Sequence, residues 1–302
     1  MRKTFTAVAL MCSLGLWASR ATLNFDFDWK FVNKDEGEAV KQMYDDKAWQ
    51  SVSLPHDWDF FHSPTIDAAS GNDGGYYPGG VGWYRKKFAT PKGERVMLRF
   101  EGVYQNCTVY VNGNVVGSHG YDYTPFAVDI TRYLAVKGTN VIAVRVDNSK
   151  QPNCRWYSGS GIYRHVWLET TDKVHIADDG VFVTTTFEKS ASGMMSFAKA
   201  KVNAAVALTN SSEKERTLTV TAWDTSEQVT LGAGETKEVN LHTSILNPTL
   251  WSPATPFLYT VRVTVSENGK MVDESTCNYG VRHIEYDAKN GLRLNGKQLL
   301  VN

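Results

Sequence analysis

The segment Arg155-Trp156-Tyr157-Ser158-Gly159-Ser160-Gly161-Ile162-Tyr163-Arg164 concentrates aromatic rings, two glycines and two arginines just ahead of the run His165 to Leu168. Side chains of these types suit a flat polar ligand. Ring faces meet the C–H patches of a sugar, forked guanidinium donors meet its hydroxyls, and glycine lets the backbone come close. The same residues also suit a bend whose aromatics fill a core, and the segment alone leaves both readings open. A second stretch places Gly71, Gly74, Gly75, Gly79, Gly80 and Gly82 among Asn72, Asp73, Tyr76 and Tyr77. A phosphate cradle would need a following helix or a P-loop lysine, whereas Trp83 to Phe88 reads as a strand. The stretch is either a flexible surface loop or the border of a ligand site.

Other chemistry-bearing groups are less specific. His56, Asp57, Asp59 and His62 are the densest set of metal-ligating types, but their spacing matches no ligand set. Pro55 and the neighbouring Trp and Phe residues suggest a hydrogen-bonded structural loop, so no metal and no cofactor is expected. No Gly-x-Ser-x-Gly elbow supports a hydrolase triad, and spacing singles out no carboxylate pair among the 32 acidic residues.

The elements that must position these groups are strands. Val202, Ala204, Val206 and Leu208 alternate onto one face, as do Tyr259, Val261, Val263 and Val265. Asn112-Gly113, Asn268-Gly269 and Asn295-Gly296 are flanked by such runs and mark tight antiparallel hairpins. Only Glu36 to Trp49 hints at helical periodicity, so the chain reads as all-β, without βαβ units. The second half supplies strands at Val181 to Phe187, Val202 to Leu208, Leu218 to Trp223, Glu238 to Leu241, Tyr259 to Val265 and Met271 to Tyr279, a spacing that suits a sandwich. A strand from Tyr163 to Glu169 ends the first half, and a boundary falls at Thr170 to Val174. After Asn295-Gly296, Gln298 to Val301 reads as an apolar strand with nothing to cover it, which points to a further domain.

Bulk properties bound the rest. The 302 residues are 42% hydrophobic, and 32 basic residues balance 32 acidic ones, so no whole-chain field recruits nucleic acid or an anionic membrane. Arg2 and Lys3, the apolar Phe5 to Trp17, and Ala18-Ser19-Arg20-Ala21 read as a signal peptide cleaved after Ala21, and export to the periplasm or outside the cell is expected. No later segment is long and apolar enough to span a bilayer. Cys107, Cys154 and Cys277 lack metal or framework spacing; one bridge is conceivable, but buried thiols are the default for Cys107 and Cys277.

Several ordered motifs go beyond generic pattern. Leu54-Pro55-His56-Asp57-Trp58, Gly82-Trp83-Tyr84-Arg85, Phe100-Glu101-Gly102-Val103 leading to Val109-Tyr110-Val111-Asn112-Gly113, Gly120-Tyr121-Asp122-Tyr123-Thr124-Pro125-Phe126 and Ser160-Gly161-Ile162-Tyr163-Arg164 occur in sequence. Together they resemble the N-terminal domain of glycoside hydrolase family 2, the β-galactosidase and β-glucuronidase group. Trp251-Ser252-Pro253 with Pro256-Phe257-Leu258-Tyr259 resembles the close of that family's immunoglobulin-like second domain. Gly280-Val281-Arg282-His283-Ile284 with Leu294-Asn295-Gly296-Lys297 resembles the lead into its catalytic (β/α)8 barrel.

After the signal peptide at 1–21, the resemblance implies a jelly-roll-like, galactose-binding-type β-sandwich at 22–172, an immunoglobulin-like β-sandwich at 173–283 and the first hairpin of a truncated barrel at 284–302. It further implies a retaining glycosidase whose two catalytic glutamates lie in the barrel, so this chain carries none of the catalytic residues. The partners expected are a β-glycoside or glycan and the barrel of the same polypeptide. Family members often assemble through these sandwiches, so a homo-oligomer is among the expected forms. The loops that match the family's sugar subsite carry Asp73 and Asn153 for hydroxyls, Arg155 to orient them or the loop, and Trp156 or Tyr157 to face the ring. A stand-alone carbohydrate-binding protein and an exported adhesive or assembly module are the alternative readings.

Overall fold

The computed structural model describes residues 20–190, 193–289 and 291–300. The expected signal peptide lies outside them, apart from Arg20 and Ala21. Ala21 already belongs to the first strand, so cleavage after it would remove one residue of that strand. No helix among the described residues is long and apolar enough to cross a membrane.

The chain divides into two compact units, with the break between Val174 and His175, so that only the first residue of the strand Val174–Lys189 falls in the first unit. The first contains β1 (Ala21–Asn24), β2 (Trp29–Val32), β3 (Gln50–Val52), β4 (Gly80–Ala89), β5 (Arg95–Phe100), β6 (Cys107–Val111), β7 (Asn114–His119), β8 (Phe126–Asp129), β9 (Thr139–Asn148) and β10 (Val166–Thr171). They form a four-stranded sheet, β1-β10-β5-β8, and a six-stranded sheet, β3-β2-β4-β9-β6-β7, with antiparallel pairing. A single core of Phe25, Trp29, Phe31, Tyr84, Leu98, Phe100, Val109, Ile142 and Val144 joins inward-facing residues of both sheets. Full burial of each such side chain contributes about 1.5–3 kcal/mol.

Strand β4 is buried on both faces. Tyr84 and Phe88 enter that core, while Trp83 joins a smaller outer cluster with Ala39, Trp49 and Ala143. The cover is the segment between β2 and β3, where the sequence hinted at a helix over Glu36 to Trp49. The structure has only a 3-10 turn, Gly37–Val40. Arg85, fully buried, explains the difference: its Nη1 donates to the carbonyls of Ala39 and Lys41, acceptors a continuing helix would need for its own N–H groups. Its Nε donates to Asp46 Oδ2 at 2.9 Å, and its guanidinium lies over the Tyr44 ring.

The second unit contains β11 (Val174–Lys189), β12 (Met195–Asn210), β13 (Arg216–Ala222), β14 (Thr225–Leu231), β15 (Thr236–Leu246), β16 (Tyr259–Glu267), β17 (Lys270–Tyr279), β18 (Ile284–Asp287), β19 (Gly291–Leu294) and β20 (Lys297–Gln298). Sheets β11-β12-β15 and β14-β13-β16-β17 make a sandwich, and β18-β19-β20 a small sheet of their own. The alternation expected in β12 and β16 is realised: Val202, Ala204, Val206, Leu208, Val261, Val263 and Val265 are all at most 1% exposed. At Asn112-Gly113, Asn268-Gly269 and Asn295-Gly296 both residues have positive φ, as a type I′ turn requires.

Four expectations are corrected. The stretch expected to pair from Tyr163 is a strand only from Val166, because Gly161 bridges Tyr104 and the Tyr163 hydroxyl is drawn to the Asp122 carbonyl at 2.8 Å. Leu218 to Trp223 stops at Ala222, with Trp223 at φ +54° in the turn into β14, a strand not foreseen. Of Gln298 to Val301, only Gln298 is in a strand among the described residues, and Val301 lies outside them. Cys107 is buried in β6, where burial pushes its thiol up to about 12, but Cys277 is only half-buried, on the edge strand β17. The described cysteines are free thiols.

Arg85→Ala leaves Asp46, only 6% exposed, without its buried cation and is expected to cost about 3–5 kcal/mol in urea unfolding. Arg262→Ala, which breaks the exposed pair with Glu274, is expected to cost less than about 1 kcal/mol.

Candidate functional site

Three loops of the first unit converge: residues 53–62 after β3, residues 70–79 before β4, and residues 149–165 between β9 and β10. The first and third lie antiparallel, with His56 N–H donating to the Ile162 carbonyl at 2.8 Å and Trp58 N–H to the Ser160 carbonyl at 3.0 Å. Two carboxylates then lock them. Asp57 Oδ1 accepts from the backbone of Ser160 (2.8 Å) and Asp59 (3.1 Å), and its Oδ2 from the Tyr157 hydroxyl (2.6 Å). Asp59 Oδ1 accepts from Gly79 N–H (3.0 Å), and its Oδ2 from Ser160 Oγ (2.5 Å). The Trp58 indole also donates to the Gly79 carbonyl at 3.0 Å. Burial raises the Asp59 pKa against the opposing pull of Ser160 and Gly79.

Glycine is required at two points of this joint. At Gly159 (φ +71°) a Cβ would lie 2.3 Å from Asp57 Oδ2, and at Gly161 (φ +127°) it would lie 2.3 Å from the Tyr84 hydroxyl. Asn148, 1% exposed, serves as a hub. Its Nδ2 donates to Ser160 Oγ (2.6 Å) and the Gly159 carbonyl (3.1 Å), and its Oδ1 accepts from Gln105, Gln151 and Asn153.

The five residues expected to meet sugar fall into two groups. Asn153 has its amide committed, Nδ2 to Asn148 Oδ1 at 2.7 Å and Oδ1 to the Tyr104 hydroxyl at 3.2 Å. Tyr157 donates its hydroxyl to Asp57 and stacks obliquely on Tyr77 of the glycine-rich loop, with centroids 4.8 Å apart. Trp156 is 59% exposed and donates its indole N–H to the Tyr123 hydroxyl at 3.2 Å. Arg155 and Asp73 are exposed. Tyr157 and Tyr77 thus join the two loops, while Asp73 sits on the turn of the glycine-rich loop, which closes on itself through Gly74 N–H to Ser70 O and Tyr76 N–H to Gly71 O.

The cluster from His56 to His62 is integral to this joint. His56 Nδ1 lies 2.7 Å from the Tyr84 hydroxyl, and His62 Nε2 lies 3.1 Å from Asn33 Oδ1. The expectation that His56, Asp57, Asp59 and His62 belong to a hydrogen-bonded structural loop agrees with these bonds, whereas Asn148 and Ser160, which complete the joint, were not singled out for that role. Both carboxylates are engaged by donors of the protein and hold the loops together. The outward groups of the joint are ring faces, one guanidinium and one carboxylate.

Ser160→Ala removes the hydroxyl between Asp59 and Asn148 in a fully buried position and is expected to cost about 1–3 kcal/mol in chemical denaturation. Two buried groups give opposite pH dependences. Burial drives His56 down to about 4, so its stabilisation is complete above the ordinary 6.5 and is lost as pH falls toward 4. Burial drives Asp122 up to about 6, so the fold gains stability as pH falls through 6 toward the ordinary 3.8. Thermal melts between pH 7 and 4 are therefore expected to show a steeper acid loss in Asp122→Asn and a shallower one in His56→Gln.

Comparison with known proteins places these loops in a family. The sequence model of the glycosyl hydrolases family 2 sugar binding domain matches residues 23–172, and that of glycosyl hydrolases family 2 matches 174–282. A β-galactosidase of Bacteroides ovatus is 37% identical over 96% of this chain, which covers 35% of that protein; a β-glucuronidase described as putative, from Formosa agariphila, is 33% identical over 93%, covering 27%. Among solved structures, a family 2 member from Bacteroides cellulosilyticus superposes on 92% of the chain with TM-score 0.83 and 37% identity, and covers 37% of that chain. A Bacteroides uniformis β-glucuronidase superposes on 92% with TM-score 0.79 and 30% identity, and covers 34%. The chain therefore spans about a third of the length of the relatives it matches. Its two sandwiches, their order and the motifs that build the loop joint make the chain a member of glycosyl hydrolases family 2.

Proposed function

We propose that this chain is the sugar-binding and scaffolding part of an exported retaining glycosidase that acts on β-galactosides or related β-glycosides, with both catalytic carboxylates supplied by a barrel outside these 302 residues. The observation that carries the reading is the convergence of the glycine-rich loop and the 153–157 segment, through Tyr77, Tyr157 and Asp57, in a domain whose family is described as sugar binding. Relatives named β-galactosidase and β-glucuronidase support the substrate class.

Within the subsite, Asn153 holds the loop through its committed amide. Arg155 and Asp73 offer donors and acceptors to ring hydroxyls, and Tyr157 presents its face, its hydroxyl pinned by Asp57. A carboxylate-bound tyrosine is pre-organised, which lowers the ordering cost of binding.

Calorimetry with methyl β-D-galactopyranoside and methyl β-D-glucopyranosiduronic acid tests the subsite. Weak binding of at least one, at about millimolar Kd, is expected, weakened about tenfold or more by Arg155→Ala. No binding of either, or no effect of Arg155→Ala combined with Asp73→Ala, overturns the subsite. Release of nitrophenol from 4-nitrophenyl β-D-galactopyranoside by the purified chain alone would overturn the assignment of catalysis to residues elsewhere. Export is tested by N-terminal sequencing of the protein recovered outside the cytoplasm, expected to begin at Thr22.

A further inference from the structure

We propose that Tyr121, Tyr123 and Trp156 form a second aromatic platform, which takes a further ring of the same glycan, so that the chain recognises an oligosaccharide rather than a single sugar. The proposal rests on the sugar-binding reading above and extends it to a loop, Gly120 to Phe126, that neither the glycine-rich stretch nor the 153–157 segment includes.

Three large rings stand exposed together here: Tyr121 is 62% exposed, Tyr123 46% and Trp156 59%, and Tyr123 contacts both of the others, whereas the exposed Phe60 and Phe61 lie on a different loop. Large aromatics left together on a surface mark a place where something binds. Their polar edges are directed at each other, because the Trp156 indole N–H donates to the Tyr123 hydroxyl at 3.2 Å. That bond engages the donor of Trp156, so the platform presents ring faces together with tyrosine hydroxyls. Sugar C–H groups match such faces, whereas a ligand that needs an indole donor does not.

The platform is also packed against the body of the unit, which lowers the ordering cost of a stacking surface. Tyr123 packs edge-on against Tyr104, which is 2% exposed, with centroids 5.8 Å apart, and Tyr121 packs edge-on against Tyr123 at 6.2 Å. One end of the loop is pinned where His119 stacks on Phe126 (4.5 Å) and Phe126 stacks on the core residue Phe100 (4.9 Å). Its middle is pinned where the Asp122 carbonyl accepts from the Tyr163 hydroxyl, and Tyr163 is itself packed over Gly102, where a Cβ would lie 2.7 Å from the ring. Asp122, at 8% exposure, keeps its carboxyl out of the platform surface, which limits repulsion of an acidic glycan and adds no exposed charge between the two tyrosines.

Position in the chain supplies the occupant. Trp156 precedes Tyr157, yet the two side chains are carried to different partners, Trp156 to Tyr123 and Tyr157 to Asp57 and Tyr77. Consecutive residues therefore serve two adjoining ring surfaces. A ligand seated on the first extends naturally onto the second when it is a chain of pyranoses.

The test compares a one-ring and a four-ring probe on the intact chain, methyl β-D-galactopyranoside and β-1,4-galactotetraose, by calorimetry and by quenching of tryptophan fluorescence. The tetraose is expected to bind about tenfold more tightly than the methyl glycoside. Tyr121→Ala with Tyr123→Ala is expected to abolish that advantage while leaving methyl glycoside affinity unchanged, and Arg155→Ala to weaken both probes. Equal affinity for the two probes, or an advantage that survives the double tyrosine variant, overturns the platform but leaves the first subsite standing. Absence of binding by both probes overturns the platform and the sugar-binding reading together. Both tyrosines are exposed, and retention of the native thermal melting point by the double variant separates loss of binding from loss of fold.

Discussion

Burial of Asp59, with Asp57 half-buried next to it, beside Ser160 is the constraint on which the loop end of the first unit depends. A carboxylate removed from water must find donors within the protein, and an unsatisfied one costs several kcal/mol. Here the donors are backbone N–H groups of Ser160, Asp59 and Gly79 and the hydroxyls of Tyr157 and Ser160. They come from three loops, two of which are also joined by backbone bonds of His56 to Ile162 and Trp58 to Ser160. The carboxylates therefore act as a clasp, and the positions of Tyr157 and of the glycine-rich loop follow from satisfying them. Glycine at 159 and 161 is a consequence as well, since any side chain would displace the carboxylate or the Tyr84 hydroxyl.

The rest of the first unit makes this clasp affordable. The two sheets supply an apolar core large enough that a polar joint at one end does not decide whether the chain folds. On the outer face of β4 the same logic recurs with opposite charge, where Arg85 is fully buried and answered by Asp46 and by carbonyls of the covering segment. In both places polar burial organises irregular chain that has little hydrophobic pattern of its own. In the second unit the strands alternate cleanly and two hairpins are closed by Asn-Gly turns, while buried Asp273 and Asn210 supply the same kind of polar joint, Asp273 accepting from Ile176 N–H and Asn210 donating to carbonyls of the neighbouring turns.

What was legible in the sequence follows from how local the determining physics is. Alternation in β12 and β16 and the positive φ of Asn-Gly are properties of neighbouring residues, and they appear in the structure where the pattern puts them. Strand β14 escaped notice because Thr225, Ser226, Glu227 and Gln228 hide its period and a Trp223-Asp224 turn replaces a glycine turn. Strand β11 is longer than its apolar part, since Gly180 lets it pass within reach of the Ala207 carbonyl. The clasp was the least legible feature, because Asp57 and Asp59 meet Ser160 from 103 and 101 residues away, and nothing in the local spacing announces that contact. The Glu36 to Trp49 segment failed for the same reason: its carbonyls answer to Arg85, a distant residue, rather than to their own helix.

A group whose hydrogen-bonding capacity is filled inside the protein cannot discriminate among ligand hydroxyls, and this divides the residues around the clasp by role. Asn148 and Asp59 are buried and bonded within the protein, and Asn153 and Asp57 are bonded to the neighbouring loops, so these groups determine shape. Arg155 and Asp73, exposed and of opposite charge, determine preference on the proposed reading. A neutral hexose gains a donor from one and an acceptor from the other. A uronic acid gains more from the guanidinium but is opposed by the carboxylate, unless its own acid group is turned away from Asp73. On the proposed reading, discrimination between galactoside and glucuronide by these loops would follow from which edge of the ring faces each loop, and the aromatic surfaces, indifferent to charge, would set how many rings are held.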